Sequence, residues 1–169
     1  RDVKVGEGIM TVNTAGNLKS KVNVKEGALH FDTGETTALF GGALTVEGTG
    51  AVVGSGLVSS ITLKNGAQLT PRSLFLEETF GGIFPGTIKT SAAVNFQQGS
   101  TLNIIIQGTA TDDYSRLTPR FLTMNGTVKV TLADGYTPKV GDTFTLWSAS
   151  GTFSGTPVYD LPALPEGIS

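Results

Sequence analysis

The 169 residues contain no cysteine. This removes a disulfide framework and any thiolate metal site at once. Charge is scarce too: 15% of residues are charged, where a globular chain carries about 25%. With a formal net charge of -2, the chain lacks the basic footprint that nucleic acid or an anionic membrane requires. No run approaches the roughly 20 apolar residues of a membrane-spanning helix. No charged-then-apolar segment opens the chain, so the signal of an exported protein would lie outside this stretch. The chain starts at Arg1 without a methionine and stops at Glu166-Gly167-Ile168-Ser169. Both ends read as cuts in a longer polypeptide.

Histidine is reduced to His30, set between Leu29 and Phe31. Alternation places it on an outer face, and with no second histidine and no cysteine a transition-metal site is not expected. Helical signals are few. Ser73 to Glu78 has some helical flavour, but Gly81-Gly82 comes soon after, and a strand or short irregular loop is expected there.

Thr, Ser, Asn and 23 glycines fill the deficit, a composition rich in strands and turns. One pattern returns: two apolar residues spaced by two, then a glycine, then further apolar residues. Ile61-Thr62-Leu63-Lys64-Asn65-Gly66-Ala67-Gln68-Leu69 is the clearest copy, and Val94 to Leu102 matches it position for position. Val22 to Leu29 is a third copy; Leu44 to Gly48, Leu122 to Gly126, and Met10 to Val12 ahead of Gly16 are looser. Alternation sends Ile61, Leu63 and Leu69 to one face, and Thr62 and Lys64 to the other. The glycine lets the backbone bend with positive φ. A hairpin and a stacked turn both satisfy this pattern, but copies returning at tens of residues favour stacking. Gly16, Gly27, Gly50, Gly66, Gly99 and Gly126 mark bends at irregular intervals. The interior is expected to hold Val22, Val24, Leu29, Leu44, Val46, Ile61, Leu63, Leu69, Val94, Phe96, Leu102 and Ile104.

After Gly108 the texture changes. Asp112-Asp113 lies in a polar stretch, succeeded by longer apolar runs at Phe121 to Met124, Val128 to Leu132 and Phe144 to Trp147. These look hairpin-like. The expected fold is all-β: stacked rungs over residues 1–108, with a C-terminal β cap over residues 109–169 that seals the last rung.

The order of phrases from Ile61 to Gly155 resembles the C-terminal part of autotransporter-type passenger domains. ITLKNGAQLTP is succeeded by GTIKTSAAVNFQQGSTLNIII, DDYSRLTPRFLTMNGTVKVTL and GYTPKVGDTFTLWSASGTFSG. The tail Leu161 to Gly167 is similar to the closing phrase of Bacteroidetes surface repeat proteins. The resemblance implies a right-handed parallel β-helix closed by a C-terminal antiparallel β cap, and a secreted or outer-membrane-associated location. It implies no ligand. Pro71-Arg72 and Tyr114-Ser115-Arg116-Leu117 depart from the family's usual proline-glycine and Asp-Arg-Leu.

Candidate chemistry is thin. Asp112, Asp113, Asp134 and Asp142 are scattered turn aspartates rather than a calcium loop. Glu77 and Glu78 are neighbours, and Glu7, Glu26, Glu35 and Glu47 fall near turns; only a stacked pair such as Glu26 with Glu47 would suit glycosidase chemistry. No nucleophile elbow, phosphate loop or dinucleotide fingerprint occurs. Trp147, Tyr114, Tyr136 and Tyr159 are the candidate platforms for a sugar, with Trp147 expected to be buried against the tail. The reading is a non-catalytic structural or adhesive surface segment without cofactor or metal. Its partners would be a host or environmental glycan or protein, and further repeats of the same chain; a glycan-binding or glycan-cleaving protein is the alternative.

Overall fold

In a computed structural model, residues 2–12, 21–32, 42–133 and 135–164 are described. Gly16, Glu35, Asp134 and the end of the tail beyond Leu164 lie outside them. The described chain forms two parallel sheets between which it alternates. The first, sheet A, is ordered β1 (Asp2–Lys4), β3 (Val22–Val24), β5 (Ala43–Val46), β7 (Ser60–Leu63), β10 (Ala93–Phe96), β13 (Phe121–Met124), β15 (Phe153–Ser154). The second, sheet B, runs β2 (Ile9–Val12), β4 (Ala28–Asp32), β6 (Ala51–Val58), β8 (Gln68–Pro71), β11 (Thr101–Ile106), β14 (Thr127–Leu132), β16 (Val158–Asp160). At Gly54-Ser55-Gly56, β6 changes partners. Its first half pairs with β4 and β8, and its second half with β9 (Thr87–Thr90), which pairs in turn with β12 (Arg116–Thr118).

Register explains the alternation. Val22, Leu44, Ile61, Val94 and Leu122 lie side by side across sheet A, as do Val24, Val46, Leu63, Phe96 and Met124. Leu29, Val52, Leu69, Leu102 and Val128 do the same across sheet B. Each column is buried, and the columns join in one continuous core. All twelve residues expected inside are buried. A lone parallel strand buries nothing; each acquires its apolar face only against the next.

Of the expected bend glycines among the described residues, three take positive φ, and Gly50 and Gly126 do not. Gly27, Gly66 and Gly99 have positive φ. In the looser copy it is Gly48, not Gly50, that takes the left-handed conformation. Gly66 has a second reason to be glycine: a β-carbon there would lie 2.2 Å from the Gly48 carbonyl oxygen in the neighbouring bend.

Three expectations are corrected. The fold is not all-β: α1 (Leu74–Phe80) stands where a strand or loop was expected. Ser73 caps it by accepting from the Leu76 amide, Asp32 of β4 accepts from the Phe75 amide at 2.7 Å, and Gly81 ends it with positive φ. Nor is there an antiparallel cap. Every strand pair after residue 108 among the described residues is parallel: β13 joins β10, β14 joins β11, and β15 and β16 extend them. Among the described residues, antiparallel pairing is limited to isolated bridges such as Ile106 with Tyr114. The physical reason lies in the columns: Leu122 and Met124 extend those of Val94 and Phe96, which a β13–β14 hairpin would interrupt. Finally, the arrangement is two parallel sheets with an inserted helix, α/β-like, rather than a closed right-handed β-helix solenoid. Among the described residues, no helix is long and apolar enough to cross a membrane.

Candidate functional site

The same register that fills the core orders the opposite face of sheet A. Asn23, Thr45, Thr62, Asn95, Thr123 and Ser154 form one outward row across six strands. Neighbours along such a row are about 4.8 Å apart. The row runs across the strands, so its side chains are presented at a fixed repeat by rigid backbone.

A second polar row lies beside it at the strand ends. The amides of Glu47, Lys64, Gln97 and Asn125 donate to Val24, Val46, Leu63 and Phe96, each keeping the parallel register for one more residue. Glu47 and Lys64 form an ion pair at 3.8 Å. Beyond them the row is uncharged, and Asn125 Oδ1 accepts from the Thr156 amide at 3.0 Å.

The two rows meet in a surface groove of about 530 Å³ lined by Asn95, Gln97, Gln98, Thr123, Asn125, Thr156 and Val158. No lining residue is charged. The side-chain amides of Asn95, Gln97 and Gln98 make no hydrogen bond among the described residues, whereas Thr123 shares a 3.4 Å contact with Ser154. Phe121, 40% exposed, lies two residues before Thr123 on the same outward face of β13. The Arg120 guanidinium sits 5.3 Å from the centre of its ring.

A second cavity, of about 480 Å³, opens at the other side of the C-terminal strands. It is apolar, walled by Ile106, Val130, Leu132, Phe144, Leu146, Tyr159, Leu161 and Leu164, with Lys139 and Asp142 among its lining. Asp142 accepts from the Lys139 amide at 2.7 Å and is 3.4 Å from the Tyr136 hydroxyl. Desolvation, with the Asp142 carboxylate beside it, raises the Tyr136 phenol above its usual range.

The four aromatics singled out from sequence do not assemble into one platform. Tyr114 is buried, packs edge-on against Phe144 at 5.4 Å, and accepts from the Thr145 amide. Trp147 is half-buried against the core and meets Phe153 edge-on at 5.6 Å. Tyr136 is half-buried and turned to Asp142. Only Tyr159 is exposed, on β16 beside the apolar cavity. Sequence reasoning missed the groove residues Gln97, Gln98 and Asn125. Their signal was the strict match between the copies at Ile61 and Val94, which places a polar bend directly after each strand.

The carboxylates are mostly engaged in holding structure. Asp32 accepts from Ser55 and from α1, Glu77 pairs with Arg72, and Glu26 accepts from the Gly6 amide. The β3–β5 register, continued by one residue, sets Glu47 beside Lys25, so the Glu26–Glu47 stack considered from sequence does not form. Glu77 and Glu78 lie on α1, not on a strand. His30 is half-buried between the inward Leu29 and Phe31. Desolvation and the Arg72 cation lower its pKa, with Glu77 opposing them. Asp112 lies 3.9 Å from Arg116. No protein-family model matches the chain, and neither curated proteins nor solved structures give a match.

Proposed function

We propose that this chain is a non-catalytic segment of a secreted or cell-surface protein, adhesive or structural, whose contact face is the outer side of sheet A. The observation that carries the reading is the in-register row of Asn23, Thr45, Thr62, Asn95, Thr123 and Ser154. Six short polar side chains at a fixed repeat suit a broad contact more than a catalytic centre, which needs convergent groups of perturbed acidity. Glu26, Asp32, Glu47 and Glu77 are spent on ion pairs and backbone amides. The phrase order from Ile61 to Gly155, similar to autotransporter-type passengers, supports the surface location.

Two measurements test this. An antibody raised against the folded chain should label intact cells of the source bacterium; labelling only after permeabilisation would refute the location. Beads coated with the chain should adhere to a cell or matrix surface, and a Thr45→Lys, Thr62→Lys, Thr123→Lys variant should lose that adhesion while keeping its melting temperature within a few degrees. Adhesion unchanged by three lysines on this face would refute the contact surface.

A further inference from the structure

We infer that the groove at the end of the sheet A face is a binding site for an uncharged glycan chain, with Asn95, Gln97 and Gln98 as its hydrogen-bonding groups. This rests on the contact-face reading and gives it a ligand class.

Three observations converge. The lining is uncharged throughout, which fits neither phosphates nor anionic polymers, whose recognition needs cations. The unengaged groups are carboxamides, and each carboxamide both donates and accepts. A sugar hydroxyl does the same, so adjacent hydroxyls match amides better than they match groups of one polarity. Lastly, the groove runs along rows that cross the strands. A peptide binding in the extended form adds to a sheet edge through backbone pairing, and this site lies on the face of β10 and β13, where those backbone groups are already paired. A polymer laid across the strands meets a new polar side chain at each step of about 4.8 Å, a length comparable with one sugar unit.

The test is affinity electrophoresis through gels containing dextran, mannan, galactomannan, xyloglucan or mixed-linkage β-glucan, with polygalacturonate as the anionic comparison. At least one neutral polysaccharide should retard the chain. An Asn95→Ala, Gln97→Ala variant, two hydrogen bonds poorer, should bind it about tenfold more weakly. Lys139→Ala, at the apolar cavity, should bind as the unaltered chain does. An unchanged melting temperature in each variant shows that folding is intact. Retardation by none of the neutral polymers, retardation by polygalacturonate alone, or unchanged binding in the double variant would overturn the proposal. Adhesion of coated beads that survives periodate oxidation of the target surface would overturn the glycan while leaving the contact face standing.

Discussion

The Phe96 ring is fully buried in the column formed by Val24, Val46, Leu63 and Met124. Neighbours on both sides belong to strands fixed by backbone pairing, so the site closes poorly around a void. Phe96→Ala should cost about 3–5 kcal/mol, whereas Thr62→Ala, on the outward row of the neighbouring strand, should stay within about 0.5 kcal/mol. Urea denaturation of both variants checks the pair, and equal losses would contradict the inward–outward assignment. Gly66→Ala carries two penalties, a positive φ and a β-carbon 2.2 Å from the Gly48 carbonyl oxygen, and should destabilise the fold clearly in the same assay. His30 responds to pH. Its pKa is lowered in the folded chain by desolvation and Arg72, so the unfolded chain binds the proton more readily. The stability this contributes is present above the unfolded value of about 6.5 and is lost as pH falls from there towards the folded value. The melting temperature should therefore drop more between pH 7.5 and 5.5 in the unaltered chain than in His30→Gln; equal drops would contradict it.

At the scale of the element, α1 is held from outside itself. None of its residues is buried, so packing contributes little, and the helix depends on Ser73, on Asp32 and on the Arg72–Glu77 pair. Ser73→Ala should cost about 1 kcal/mol locally. Amide exchange at Leu76 and Glu77 should accelerate while the strands keep their protection; uniform acceleration would contradict a locally held helix. This dependence is why the helix was not legible in the sequence. It has no apolar stripe to read, and one of its caps, Asp32, comes from a strand 43 positions away from Phe75. The strands were legible for the opposite reason: Ile61, Leu63, Val94 and Phe96 carry their period-2 pattern within a few residues, and burial tracks it.

At the scale of the molecule, pattern alone was insufficient. Alternation in β13 and β14 suits a hairpin and a parallel stack equally well, since both need one apolar face. The deciding feature is a long-range match: Leu122 and Met124 fit beside Val94 and Phe96, and Val128 and Val130 beside Leu102 and Ile104. The groove was hidden likewise. Gln97, Gln98 and Asn125 look like ordinary bend residues, and only the stacking of two bends brings them together. The proposed contact face and the fold therefore share one requirement, that sheet A keeps its strand order in parallel register. Because the chain has no cysteine, spin labels attach only where cysteine is introduced. Labels at Asn23→Cys and Ser154→Cys are separated by five strand steps, about 24 Å at roughly 4.8 Å per step. Pulsed electron–electron resonance on that pair should give one narrow distance peak near this value, within the reach of the label arms. A broad distribution, or a peak shorter by several strand steps, would contradict the ordered row.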